Sequence, residues 1–527
     1  MTRKKARSRE EILRQDTQDL RELGYTQQLL REMGGFSNFA LSFSIISVLT
    51  GAILLFGYGL QFAGPIINTF GWPLVSLFTL TVAASMAELA SAYPTAGGVY
   101  FWAYRLGGHR WAWVTAWFNM IGQLTITAGI DFAAALYILG ALNRMFALAL
   151  PTHTTALIIM MVIIMIPQAL INIFGIRLTS RLSDFSVYWH VGGVFVIALL
   201  LMFFGEHRQP LSFLFQGTTS IHPSDLAGSF AAGPFTFSSL MMNLPGMAAL
   251  YASGGLALAF VLGLLQAQWT YTGYDASAHV AEETILARLN SAWGVFLSVA
   301  VSFVVGYLML LVLTLHIPDI AATIAAANSP PVLYIVYENL GTFSANLVAI
   351  IIGVAMWLCG LSSITSMSRM WFAFARDGGM PGHTWISRIH PEWRTPVWAI
   401  IITCALAVLL TVYAALYSVV VALSTTALYL AYAIPIYLNV RNKMRCRGEY
   451  TMPQTAPWSL GRWGVLINWV AVLWVAFITF LFSIPPNELA GWSILLLGVF
   501  MVLYWQVDAK KRFTGPTPVV DFSPGKT

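Results

Sequence analysis

The sequence predicts an all-α integral membrane protein of twelve spanning helices, and three observations carry that prediction. Of its 527 residues 58% are hydrophobic and only 9% are charged, whereas globular domains hold roughly 25% charged residues. The apolar residues gather into blocks of about 18 or more with almost no charge, each long enough to cross a ~30 Å hydrocarbon core as a helix. Lysine and arginine segregate as well. With the N-terminus inside, all but Arg144 and Arg208 of the 28 basic residues fall in the tails and alternate loops of one side, as the positive-inside rule requires of cytoplasmic loops. A missed or extra span would scramble that pattern, so both termini are expected in the cytoplasm of a multi-pass cell-membrane protein. The lipid bilayer is its surroundings, soluble enzymes are excluded, and the net charge of +6 needs no nucleic acid to explain it.

The elements follow in order. The tail 1–35 is polar, and from Ser8 to Met33 its leucines recur at helical spacing among mixed charges, which reads as a solvated cytoplasmic helix. The first apolar block is too long for a removable signal peptide, and no small-residue cleavage site follows it. Spans 1 to 5 are expected near 36–61, 72–93, 113–140, 154–174 and 184–205, a first unit over 36–205. The segment 206–254, rich in Gly, Pro, Phe and Met, is the only long outer loop and reads as a partial cap on the outer mouth. Spans 6 to 10 are expected near 255–280, 291–315, 343–370, 396–415 and 418–439, a second unit over 255–440. A basic loop, 441–463, leads to spans 11 and 12 near 464–485 and 491–507, and the proline-bearing tail 508–527 reads as disordered after Arg512. Cys359, Cys404 and Cys446 lie in or beside apolar blocks at no metal-ligand spacing, so neither disulfides nor a metal site are expected, and nothing suggests a cofactor.

Two spans carry an interruption at matching places. Span 1 holds Ser47-Val48-Leu49-Thr50-Gly51 at its centre, and span 6, the first of the second five, holds Thr270-Tyr271-Thr272-Gly273-Tyr274. Where a membrane helix is unwound near the midplane its free amides and carbonyls can bind ions and polar solutes. Glycine and β-branched residues also serve packing alone, so it is the matched position that gives the pair meaning.

Three further stretches are more specific. Span 2 ends in Ala87-Glu88-Leu89-Ala90-Ser91-Ala92-Tyr93-Pro94-Thr95-Ala96-Gly97-Gly98-Val99-Tyr100, and span 6 in Gly273-Tyr274-Asp275-Ala276-Ser277-Ala278-His279-Val280-Ala281-Glu282-Glu283-Thr284. Span 8 is followed by Ala373-Phe374-Ala375-Arg376-Asp377-Gly378-Gly379-Met380-Pro381, with Ser368-Arg369 just before. Over residues 30 to 505 the chain resembles the amino acid/polyamine/organocation transporter superfamily, most closely its amino acid/choline branch. The resemblance implies a leucine-transporter-type fold, five helices repeated upside down and then two more. It implies a permease importing an amino acid or related amine such as γ-aminobutyrate, choline or a polyamine, by alternating access with H⁺ or Na⁺ coupling or by exchange.

On that resemblance the amides around Ser47, Val48, Leu49, Thr50 and Gly51 would face a substrate carboxylate. The carbonyls from Trp269 through Thr270 and Tyr271 to Thr272, beside Gly273, would take its ammonium, with Trp269 and Tyr271 closing over it. Asp131 in span 3 is costly in a membrane unless partnered, and could pair with a substrate cation, carry a coupling proton, or bond neighbouring hydroxyls. Ser362, Ser363, Thr365 and Ser366 on span 8 stand where sodium-coupled relatives place hydroxyls, and His190 in span 5 is a candidate proton carrier. Arg31 or Glu32 and Arg376 or Asp377 are gate candidates. Glu88 reads as an anchor of the inner loop. Asp275, His279 and Glu282 share one helical face, but no second helix offers matching ligands, so Asp275 reads as a structural partner of the unwound turn rather than a metal ligand. The competing classes are an intramembrane hydrolase, for which no His-Glu-x-x-His or Gly-x-Ser-x-Gly motif occurs, and a receptor that binds without flux.

Overall fold

The computed structural model describes residues 8–226, 237–325, 330–413, 417–445, 456–513 and 515. Among them there is no β-strand, eleven helices are long and apolar enough to cross a membrane, and Val397–Val412 is a shorter apolar twelfth. The expected twelve spans are therefore present. Span 1 is made of Gly35–Ile46, Gly51–Leu54 and Phe56–Ala63, and span 2 of Ile67–Gly71 and Trp72–Ala92. Spans 3, 4 and 5 are His109–Phe146, Thr154–Phe174 and Ile176–Phe204. Span 6 is Met247–Gly263 and Leu265–Thr270, with Ala276–His279 beyond a gap. Spans 7 to 12 are Ala287–Leu315, Thr342–Arg376, Val397–Tyr413, Tyr417–Arg445, Gly464–Leu481 and Glu488–Tyr504. Span 7 packs along spans 1 and 2, while span 3 packs along spans 8 and 10. Large apolar side chains such as Phe203, Phe204 and Leu496 are 65–69% exposed on the outer helices, as a lipid-facing surface requires.

The structure departs from the sequence expectations at the edges of the apolar blocks. Span 3 outruns its block because nothing breaks the helix until the chain turns left-handed at Gly108 and Ala147. Span 5 starts eight residues early with a polar turn that carries Arg177 and Arg181. Part of the expected outer loop is helical, since span 6 already begins at Met247 and bends at Gly255, where φ is +49°. The short helices Val99–Gly107 and Pro331–Asn339 were not anticipated, being only nine residues each. Cys359 is buried and Cys404 half-buried, both as free thiols, while Cys446 lies outside the described residues.

The N-terminal helix is the clearest correction. Arg9–Glu22 starts on a Ser8–Glu11 capping box, as its sequence favours, but it is docked rather than solvated. Asp16 accepts hydrogen bonds from the amides of Leu286 at 2.8 Å and Ala287 at 3.3 Å, and so caps the start of span 7. Asp19 pairs with Arg288 at 2.9 Å, and Arg288 also donates to the carbonyls of Ser91 and Ala92 at the end of span 2. Its charged residues looked solvated because their partners sit some 270 residues away in the chain.

Candidate functional site

The break in span 1 falls where the sequence placed it. Ser47 adopts φ 32°, ψ 83°, in the left-handed region that costs a β-carbon residue energy. Its hydroxyl is held by two partners, Oγ1 of Thr50 at 2.6 Å and Nε2 of His190 at 2.7 Å. The Ser47 carbonyl accepts from the amides of Thr50 and Gly51, whereas the amides of Val48 and Leu49 take part in none of the described hydrogen bonds. His190 completes its shell by setting Nδ1 2.8 Å from the Ser186 carbonyl. Two candidates that the sequence treated separately, His190 and Ser47, thus touch.

Span 6 is unwound from Tyr271 to Asp275. The Thr272 hydroxyl donates to the Trp269 carbonyl at 2.5 Å, and Tyr429 donates to that of Tyr271 at 2.5 Å. The carbonyls of Thr270 and Thr272 accept none of the described hydrogen bonds. Glycine lets the two breaks meet. A β-carbon on Gly51 would lie 2.9 Å from Cα of Thr270, and one on Gly273, where φ is +80°, would lie 2.3 Å from Cγ2 of Ile45.

Between the breaks is a cavity of about 10 Å³, room for no more than one water. Span 1 supplies Ile45, Ile46, Thr50 and Gly51, span 3 Ile126 and Ile130, span 6 Trp269, Thr270 and Thr272, and span 8 Cys359. Among the described residues no carboxylate, amine, guanidinium or imidazole lines it. An amino acid cannot enter unless the walls move apart.

Several sequence candidates lie elsewhere. Tyr271 turns to span 2, its hydroxyl 2.7 Å from Ser76 Oγ and its ring packed on Trp72. Asp131 follows Ile130 but does not line the cavity; Oδ1 accepts from Gln168 at 3.1 Å, and a β-carbon on Gly360 would touch it, so it is enclosed by spans 4 and 8. Ser363 pairs with Thr127 at 2.6 Å, while the buried hydroxyls of Ser362 and Ser366 have no hydrogen-bond partner. The span 8 group that meets a span 1 carbonyl is the Cys359 thiol, 3.3 Å from the oxygen of Ile45. Glu88 is buried and accepts from Lys443 at 2.5 Å, Asn439 at 3.1 Å and the Leu460 amide at 3.2 Å, which ties span 2 to the end of span 10 and to the loop before span 11.

The basic end of the bundle is shut by a seal whose pairing differs from the expected one. Arg31 and Asp377 do not meet. Arg31 donates to the carbonyls of Thr284 and Ala281 and lies 3.9 Å from Asp16, and Glu32 pairs with Arg177 at the surface. Arg376 instead forks onto Glu282 at 3.0 and 3.1 Å and lies 4.0 Å over the ring of Tyr25. Asp377 accepts from Tyr25 at 2.7 Å and from Tyr100, and burial pushes its carboxyl up to about 7 against the opposing pull of the Tyr25 hydrogen bond. Beside them Arg369 and Glu283, both fully buried, pair at 3.3 Å.

Asp275 has the densest shell. It accepts from Asn119 at 2.8 Å, Gln123 at 3.2 Å and Tyr432 at 2.8 Å, and faces Nε2 of His279 at 2.9 Å. Asn119 and Gln123, a polar i, i+4 pair inside an apolar span, were the missed signal for this partner set.

Residues 33–505 match the model of a family described as amino acid permease. The chain is 35% identical to the amino-acid permease BAT1 homolog of Oryza sativa subsp. japonica, over 95% of this chain and 95% of the relative. It is also 35% identical to amino-acid permease BAT1 of Arabidopsis thaliana, over 94% of this chain and 95% of that one. A putative amino acid/polyamine transporter of Macrophomina phaseolina is 30% identical over 85% of this chain and 93% of the relative.

Proposed function

The chain belongs to the amino acid permease family, and from that premise we propose that it imports amino acids with neutral side chains, γ-aminobutyrate included, through the cavity between its two broken helices. It is a membrane transporter and not an enzyme. One observation carries the substrate reading: the cavity is walled by Thr50 and Gly51 of the span 1 break and by Thr270 and Thr272 of span 6, whose carbonyls accept none of the described hydrogen bonds, with no ionised side chain among its described lining residues. The amides of Val48 and Leu49 in the span 1 break, though outside that lining, are also unused. Amides suit a carboxylate and carbonyls an ammonium, so the substrate brings both charges and carries no third. A choline or polyamine substrate would need Asp131 at the wall, and Asp131 is not among the lining residues.

Transport requires spans 1, 2, 6 and 7 to rock against spans 3, 4, 8 and 9, with the basic end in the cytoplasm of the cell membrane. The drive is a proton gradient or exchange. A thiol, not a hydroxyl oxygen, meets the Ile45 carbonyl, and hard cations such as sodium prefer oxygen ligands. The test is counterflow in proteoliposomes with a radiolabelled panel: alanine, leucine, γ-aminobutyrate, arginine, choline and putrescine. Exchange of the first three alone is expected. Flux of choline or putrescine without any amino acid, or binding of an amino acid without flux, refutes the proposal.

A further inference from the structure

We propose that the Asp275–His279 pair, just beyond the break in span 6, holds the coupling proton and that this proton keeps the basic end shut. The inference rests on the transport reading above. His279 is fully buried, and both ring nitrogens face acceptors: Nε2 is 2.9 Å from Oδ2 of Asp275, and Nδ1 is 3.1 Å from the carbonyl oxygen of Ala96. A neutral imidazole beside an ionised carboxylate has one N–H for two acceptors. The geometry is satisfied by an imidazolium, or by a neutral ring accepting from a protonated Asp275. Either way the pair holds one extra proton. His190 differs, because its Nε2 meets the Ser47 hydroxyl, which can donate, and a neutral ring satisfies both of its bonds.

The proton reaches the seal through Ala96. That residue is tethered twice, its N–H donating to Oε1 of Glu282 at 3.2 Å and its carbonyl accepting from His279. Its turn feeds the helix Val99–Gly107, whose Tyr100 binds Asp377 of the opposite bundle half. When one proton of the pair passes to water at the basic end, Asp275 is left ionised and the ring keeps its single N–H on Nε2 toward that carboxylate, so Nδ1 turns a lone pair toward the Ala96 carbonyl and one tether is lost. No co-reactant is needed. The closed state, which supplies the second acceptor, binds the proton more tightly than the open one, so by linkage a high pH favours opening. The other titratable or charged groups around this turn are Tyr432, which donates to Asp275, with Tyr274 against its ring, Arg31 on the Ala281 carbonyl, Glu282 with Arg376, Glu283 with Arg369, and Asp377 with Tyr25 and Tyr100. Asp377 titrates in the same sense, so the test is run with Asp377→Asn.

The probe is a cysteine replacing Thr95, whose buried hydroxyl has no partner among the described residues, in a full-length chain with Cys404 and Cys446 replaced and the buried, cavity-lining Cys359 kept, its background labelling subtracted with a chain that lacks the probe. With His279 present, thiol labelling should accelerate about fivefold or more between about pH 5 and about pH 8. His279→Gln should label at a rate independent of pH and lose proton-driven accumulation while keeping counterflow. His279→Arg, with both donors permanently charged, should stay closed throughout and serves if the glutamine variant does not fold. Labelling that ignores pH in the histidine protein, or undiminished proton-driven accumulation in His279→Gln, overturns the proposal. Absence of amino acid counterflow would strike the transport reading alone, since the labelling arm needs no substrate.

Discussion

Gly51→Ala tests the contact between the two breaks. The new methyl would lie 2.6 Å from Oγ1 and 2.9 Å from Cα of Thr270, against 3.4–4 Å for an ordinary contact. The hydroxyl can rotate away, but the Cα is backbone, so the two unwound turns must part by about half an ångström to relieve an overpacked core contact. Overpacking of this kind costs typically 1–3 kcal/mol. Since each ~1.4 kcal/mol is a factor of ten, counterflow should fall about 5- to 150-fold if the aligned breaks are the transport site. Gly192→Ala is the control, because nothing lies within 4 Å of a β-carbon there and Ala is the better helix former by about 0.5–1 kcal/mol. The assay is the initial counterflow rate per folded transporter, with Tm measured alongside. Wild-type flux and an unchanged Tm in Gly51→Ala would refute the idea that the crossing of the two turns is the working site.

Ile130→Ala should enlarge the cavity wall on span 3, at a stability cost of about 2–5 kcal/mol, and shift competition for uptake toward larger neutral amino acids; an unaltered competition profile removes Ile130 from the site. Asp377 has its carboxyl raised from 3.8 to about 7 while it is buried in the seal. The closed state therefore binds that proton more tightly, and the contribution of Asp377 to closure is complete below 3.8 and lost as pH rises through about 7. In Asp377→Asn, thiol labelling at position 95 should lose that share of its pH dependence, and an unchanged profile would place the titration elsewhere. Lys443→Met leaves the buried Glu88 without its cation and should lower Tm by several degrees with the substrate KM unaltered; a changed KM would mean that Glu88 does more than anchor a loop.

The span count and the two breaks were legible because each depends on local chemistry. Apolar length marks a membrane helix, and Thr-Gly at matched positions marks where it unwinds. Asp131 was left open for the same reason: a carboxylate within a span announces a constraint but not its direction, and one residue separates Ile130 on the cavity from Asp131 turned to Gln168. The seal was legible only in part. Arg376 and Asp377 could be singled out as charges at an inner mouth, yet their partners are fixed by folding. Glu282 and Tyr25 reach them from 94 and 352 residues away. The docking of Arg9–Glu22 was hidden likewise, since the amides its Asp16 caps belong to the backbone of span 7 and leave no mark in the sequence.

The ion pairs decide which end opens more readily. Among the described residues the pairs of Arg31, Arg177, Arg288, Arg369, Arg376, Lys443 and Arg512 all belong to the basic end, and Asp275–His279 lies on its side of the span 6 break. Toward the other end several links between spans are neutral, as in Asn68 to Thr314 at 3.0 Å, Gln266 to Asn68 at 2.9 Å and Asn487 to Tyr58 at 3.1 Å, and Arg144 meets Tyr337 through the face of its ring. Opening the basic end must separate a fork of Arg376 on Glu282 whose carboxylate is fully buried, whereas the inter-span links of Asn68, Gln266 and Asn487 at the other end can be exchanged for water as neutral hydrogen bonds. The empty carrier is thus expected to rest with its basic end closed. Glu282→Gln strands the Arg376 charge in the closed state only, at about 3–5 kcal/mol, which corresponds to a shift of roughly 10²- to 5 × 10³-fold toward the open state. Labelling at position 95 should rise steeply in that variant and fall back when Arg376→Gln is added. A rate equal to that of the parent in both would mean that the pair fills space at the mouth without holding it shut.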